Sequence, residues 1–176
     1  PFAVLARRYP SRARDLTPTC KSSRPCYHRW AMPTPILATK LYIPPPRPNL
    51  VVRTRLLARL DEGLRVARPL TVIVGPAGSG KTTLIASWIY SPSHAVGSRA
   101  LAWLSLDADD NDPVRFLTHL IAALRQIEPS VGRGLRGLLS APQMPSLSGL
   151  VKGITAELSR GAVAGVLILD DVHFIA

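Results

Sequence analysis

TVIVGPAGSGKTTL, residues 71–84, is the stretch on which the reading of the chain turns. Apolar and β-branched residues run from Leu70 to Val74 between Pro69 and Gly75, the pattern of a short strand buried on both faces. GPAGSGKT, residues 75–82, then fits G-x-x-x-x-G-K-[ST] at every fixed position, and a helix is expected over 81–90. The residue types follow from what a polyphosphate needs, which is many N–H donors converging on one point. A loop with little side-chain bulk, here Gly75, Pro76, Ala77, Gly78, Ser79 and Gly80, can curl its backbone round a β-phosphate and aim its amides inward. The helix that follows adds free N–H groups and the positive end of its dipole. Lys81 supplies a cation for the β- and γ-phosphates, the Thr82 hydroxyl a ligand for Mg²⁺, and Thr83 a hydroxyl for the α-phosphate. The plainer alternative is a glycine-rich turn between a strand and a helix; the strand before and the helix after favour phosphate binding.

A phosphate loop needs a carboxylate to hold its metal, and VLILDD, residues 166–171, offers one at the end of a second apolar run. Mg²⁺ prefers hard oxygens and keeps several waters, so one side chain suffices. Asp170 is the expected metal ligand, through water, and Asp171 the group that orients or activates an attacking water. Alone, two aspartates ending a strand say little; following this loop at a distance that fits two helices and one strand, they say much more. His173, just beyond them, is read either as a γ-phosphate sensor or as a packing residue.

Between these landmarks strands and helices alternate. Leu56, Leu57, Leu60 and Leu64 repeat at helical spacing. ALAWLSL, residues 100–106, reads as a strand, with Trp103 and the earlier Trp88 as core residues. Asp107, Asp109, Asp110 and Asp112 resemble a calcium loop at a glance but lack its glycine and distal glutamate, so a solvated turn is expected. In that turn Asp112 caps a helix that has Pro113 in its first turn. Residues 128–146 are rich in Gly, Pro and Ser and read as loop, before an amphipathic helix carrying Leu147, Leu150, Val151, Ile154 and Leu158. Alternation of this kind implies a parallel sheet with helices on both faces.

The net charge of +11 over 176 residues would suggest a nucleic-acid partner, but seven of the 22 basic residues crowd into residues 1–31 beside one acid, Asp15. That segment has no helical or alternating period, and it reads as a disordered or non-native upstream extension, with Met32 as a plausible start. Both cysteines, Cys20 and Cys26, fall in it at a spacing matching no common zinc or redox motif, and the cysteine-free remainder fits a reducing compartment. Residues 32–50, with Pro33, Pro35, Pro44, Pro45, Pro46 and Pro48, are expected to be extended. Residues 51–176 are expected to form the domain. No run is long enough for a membrane helix, so a soluble, cytoplasmic protein without membrane contacts is expected.

Four segments in order resemble a known family: ILATKLYIPPPRPNLVVRTRLLARL, GPAGSGKTTLIASW, LAWLSLDADDNDPVRFLTHLIAAL and VLILDDVHFI. They look like the N-terminal ATPase module of MalT-like LuxR-family transcriptional regulators, members of the STAND class of P-loop NTPases. The resemblance covers residues 35–176. It implies a three-layer α/β P-loop fold, incomplete at the C-terminus, that binds ATP with Mg²⁺ as a switch ligand and hydrolyses it slowly, a fragment of this size being weak or inactive. It also implies self-association when ATP is bound. Residues 51–56 would lie near the adenine, with Val52 and Arg53 as its contacts. Two positions depart from the family: Ser79 stands where an aromatic is common and Val172 where tyrosine is common. Neither removes a phosphate or metal ligand.

Such regulators are several times longer and bind DNA through a C-terminal helix-turn-helix, which residues 1–176 do not contain. The family's sensor strand, which separates the phosphate-loop strand from the acidic strand, is also missing. The expectation is therefore an empty slot in the sheet with unsatisfied ladder groups, and a fragment that is marginally stable and prone to aggregate. The alternative is a stand-alone P-loop ATPase or nucleotide-binding protein with no DNA-binding half. A basic nucleic-acid module is disfavoured, since no aromatic residues interleave with the basic ones.

Overall fold

The computed structural model describes residues 4–6, 36–46, 48–92, 96, 99–134, 146–160 and 164–175. Four strands, β1 (Val4–Ala6), β2 (Thr71–Val72), β3 (Ala100–Ser105) and β4 (Gly165–Asp170), form one sheet in the order β2-β1-β4-β3, with every pairing parallel. Among the described residues four helices accompany them: α1 (Thr54–Arg65), α2 (Lys81–Tyr90), α3 (Pro113–Leu124) and α4 (Leu147–Arg160).

The pleat divides the sheet between two cores. Trp103 of β3 and Val166 and Ile168 of β4 join Leu57, Leu60 and Leu64 of α1 and Leu84, Ile85 and Trp88 of α2. On the other face Ala102 and Leu104 of β3 and Leu167 of β4 join Leu117, Ile121 and Leu124 of α3 and Leu150 and Ile154 of α4. This is the expected three-layer α/β arrangement. Trp88 and Trp103 are buried as expected, and each places its indole N–H on an oxygen, Trp88 on Asp61 Oδ1 and Trp103 on Ser105 Oγ, both at 2.8 Å. A buried indole needs such a partner.

Gly165 opens β4 under Ile127. A Cβ added there would lie 2.4 Å from Ile127 Cγ2 and 2.9 Å from its Cδ1. A β-branched side chain in a filled core cannot swing aside cheaply. Gly165→Ala is accordingly expected to cost about 1–3 kcal/mol, as overpacking does. An unchanged thermal midpoint in this variant would show that the contact gives way freely.

Three expectations need correcting. Residues 32–50 are not extended throughout: Ala38–Leu41 form a 3-10 turn. That stretch has no proline, and Leu41 packs on the α3–α4 side of the sheet while Ile43 packs on the α1–α2 side. The run 70–74 is not a doubly buried strand. Only Thr71 and Val72 are in strand, and Leu70, Val72 and Val74 are about half exposed or more, since among the described residues the α3–α4 core takes nothing from β2. Finally, the slot between β2 and β4 is not empty. The two strands do not pair with each other, but β1 lies between them, with Leu5 opposite Thr71 on one side and Ile168 on the other. No packed element was expected in residues 1–31. The physical reason for one is that two facing rows of unpaired N–H and C=O groups accept any short segment able to complete both ladders.

Candidate nucleotide site

Parallel strands bring their C-terminal ends to one edge of the sheet, and here that edge carries the loop after β2 and the carboxylates ending β4. Gly80 caps α2 with a left-handed backbone (φ 76°), and its carbonyl accepts the first helical bond, from Leu84 N–H at 2.8 Å. That conformation turns the loop into the helix, and a side chain there would be strained. Gly75, Ser79 and Gly80 are half-buried, and Pro76, Ala77 and Gly78 are exposed.

Lys81 is buried although charged. Its ammonium donates to Gly75 O at 2.7 Å, to Pro76 O and to Ser79 Oγ at 3.0 Å, so the loop's own oxygens surround the cation. Thr82, one residue on, donates its hydroxyl to Asp170 Oδ2 at 2.9 Å. The other carboxylate oxygen of Asp170 accepts the Asp171 N–H at 3.0 Å. Asp171 itself is left-handed (φ 58°), a conformation aspartate tolerates better than most residues. Thr82 and Asp170, read from motifs far apart in the chain, are thus brought together. Thr83 is half-buried on the first turn of α2.

Arg53 caps α1, and its Nη2 lies 3.5 Å from where a Cβ of Gly80 would stand, placing a second cation against the loop. An open groove beside it is lined by Arg53, Thr54, Arg55, Leu56 and Arg59. Val52 is exposed. His173 packs its ring on Phe174, with centroids 4.1 Å apart, and its Nδ1 is 3.8 Å from Asp171 Oδ1.

The aspartate turn departs from the expected solvated one. Asp112 does cap α3, accepting Arg115 N–H at 2.8 Å, with Pro113 first in the helix. Asp110, however, is buried, with Lys40 Nζ at 2.5 Å from Oδ2 and His119 Nδ1 at 2.8 Å from Oδ1. Lys40 also meets Asp107 Oδ2 at 2.8 Å. Burial alone would raise the Asp110 carboxyl; the hydrogen bonds from Lys40, the Asp107 N–H and His119 outweigh it and hold the group below its ordinary value. The signal available in the sequence was a lone lysine inside the apolar ILATKLYI, because a lysine so placed must be paired or reach water.

A family model described as an AAA domain matches residues 64–176. The chain belongs to the AAA-domain family. It is also similar to the HTH-type transcriptional regulator MalT of several bacteria. The match to that of Serratia proteamaculans is 39% identical over 140 residues, that to Cronobacter sakazakii 37% and that to Klebsiella pneumoniae 38%. Each covers 80% of this chain and 15% of the relative, so the chain spans a small part of the regulators it matches. The resemblance drawn from the four segments holds. As a P-loop domain of this family the chain carries a nucleotide-binding site. Among the described residues, no helix is long and apolar enough to cross a membrane.

Proposed function

We propose that this domain binds ATP with Mg²⁺ and serves as the slowly hydrolysing switch of a MalT-like transcription regulator. The observation carrying this reading is the 2.9 Å approach of Thr82 Oγ1 to Asp170 Oδ2. Two hard oxygens, one from the helix after the loop and one from the acidic strand end, fit a small cation that completes its shell with water and phosphate. Mg²⁺ held there would draw charge from the β- and γ-phosphates. Gly75 and residues 77–80 would supply backbone N–H donors, Pro76 having none, Lys81 would exchange its loop oxygens for phosphate oxygens, and Thr83 would reach the α-phosphate. Arg53, beside Gly80, and Val52 would flank the nucleotide on the α1 side. Asp171 would orient the attacking water.

In the whole regulator, ATP would favour a self-associating state that hydrolysis resets, with DNA bound through a separate helix-turn-helix in the cytoplasm. The similarity to proteins named HTH-type transcriptional regulators supports this setting.

Lys81→Ala is expected to weaken ATP binding tenfold to over a hundredfold, the worth of a charge-assisted contact of about 1.5–3 kcal/mol. Calorimetry with Mg²⁺ measures it. Equal affinity in variant and parent would sink the phosphate-loop reading.

A further inference from the structure

The turn between β3 and α3 touches the acidic strand end twice. Ser105 is in register with Asp170, and the next residue, Leu106, donates its N–H to the Asp170 carbonyl at 3.0 Å. Five residues on, Asn111 Nδ2 donates to the Phe174 carbonyl at 2.7 Å. Asp171 lies between these anchors, in its left-handed conformation. Aspartate adopts such a backbone more readily than most residues, but it still costs some free energy, which anchors on either side help to offset.

The turn is itself held from behind. Asp107 closes a reciprocal cap with Asp110, accepting the Asp109 N–H and donating its own N–H to Asp110 Oδ2, each at 3.0 Å. Lys40 enters between the two carboxylates from a segment far away in sequence, and His119 of α3 holds the other Asp110 oxygen. Lys40, Asp110 and His119 are all buried. The only oxygens within salt-bridge reach of Lys40 among the described residues belong to this turn. Lys40, Asp110 and His119 are too enclosed to meet a ligand, so their effect must pass through what the turn holds.

We propose that residues 107–111, clamped by Lys40, are the positioning element for Asp171, with Asn111 as the link that sets the carboxylate at the nucleotide site. This rests on the reading of Asp170 and Asp171 as the metal and water pair. Asn111 acts on the site through the Phe174 carbonyl it holds. It fixes the backbone on the far side of Asp171, so its loss affects what depends on Mg²⁺ and leaves what depends on the phosphate loop alone.

The test uses the full chain with Asn111→Ala and Asn111→Asp, the second keeping the size while replacing the N–H donor by an acceptor. Asn111 is exposed, so both variants are expected to fold. In the nucleotide-free protein the Asp171 and Phe174 amides are expected to exchange about tenfold faster, the worth of one net hydrogen bond. The affinity for a fluorescent ATP analogue, measured with Mg²⁺ and with EDTA, is expected to lose several-fold of its Mg²⁺-dependent gain while the EDTA value stays constant. Unchanged exchange together with an unchanged Mg²⁺ gain would overturn the proposal. Equal loss with and without Mg²⁺ would also overturn it, by showing general loosening of the site. If the parent binds no nucleotide, the proposed function fails, and the exchange result alone decides whether Asn111 positions Asp171.

Discussion

Lys40→Met is expected to cost the folded chain about 3–5 kcal/mol, which is much of the stability an ordinary domain has. Methionine keeps the length of the side chain and fits an apolar stem, so little packing is lost. What is lost is the only cation between Asp107 and Asp110 among the described residues, leaving Asp110 charged and almost wholly out of water. Urea unfolding followed by circular dichroism measures the difference. The double variant Lys40→Met, Asp110→Asn is expected to recover a substantial part of it, because a neutral pair carries no uncompensated charge. A Lys40→Met variant within about 0.5 kcal/mol of the parent would mean that the ion pair contributes no more than an exposed one.

The same cluster sets an acid limit. Asp110 is held below its ordinary value of 3.8. Above that value the carboxylate is charged whether the chain is folded or not, and its full contribution is present. As the pH falls below 3.8 the unfolded chain takes up its proton first, and the contribution fades as the pH drops through the lower folded value. Asp110→Asn removes this group from the titration. The parent is therefore expected to lose stability below about pH 4 more steeply than the Asn variant, in melts taken from pH 6 down to pH 3.

The difference between what was and was not legible follows from how far each signal travels along the chain. The limits of α2, the start of α3, strand β3 to within a residue and the aspartate end of β4 could be read because a period of 3.6, a cap or a short apolar run is a local property. The phosphate loop was legible for a stricter reason: a curled backbone beside a polyphosphate tolerates few residue types, so the motif is almost its own structure. The cap at Asp112 with Pro113 behind it is likewise contained in a few residues. The Lys40–Asp110 pair is not, since its partners lie 70 residues apart and nothing local marks Asp110, alone among four neighbouring aspartates, as the buried one. The face of β2 was misread because burial depends on what the neighbouring layers cover, and among the described residues the α3–α4 core stops short of it. Arg53 was placed near the nucleotide only through resemblance. Its guanidinium lies beside Gly80, a proximity that no spacing in the sequence encodes.

Strand β1 was the least legible element, and it gives the second large expected effect. Leu5→Pro is expected to destabilise the chain by about 2–4 kcal/mol, combining one lost ladder bond with the carbonyl it leaves unpaired. Leu5 is in register with Thr71 of β2 and Ile168 of β4, so it stands in an interior strand, where proline is not tolerated. Leu5→Val keeps the N–H and the extended preference, and it is expected to stay within about 0.5 kcal/mol of the parent, as a conservative strand substitution does. The contrast between the two isolates the backbone. Hydrogen exchange locates the effect: proline at position 5 should speed exchange along β2 and in the adjoining part of β4, while the β3–β4 ladder from Ala100 opposite Gly165 to Ser105 opposite Asp170 keeps its protection. The nucleotide site supplies a further readout. Thr82 and Asp170 stand on the two sides of the slot that β1 fills, at the ends of segments that do not pair with each other. If β1 holds them in place, Leu5→Pro weakens Mg²⁺-dependent nucleotide binding as well as stability. If stability and exchange match the parent, the ladders of β2 and β4 are satisfied without Val4–Ala6, and the approach of Thr82 to Asp170 is maintained by the two cores alone.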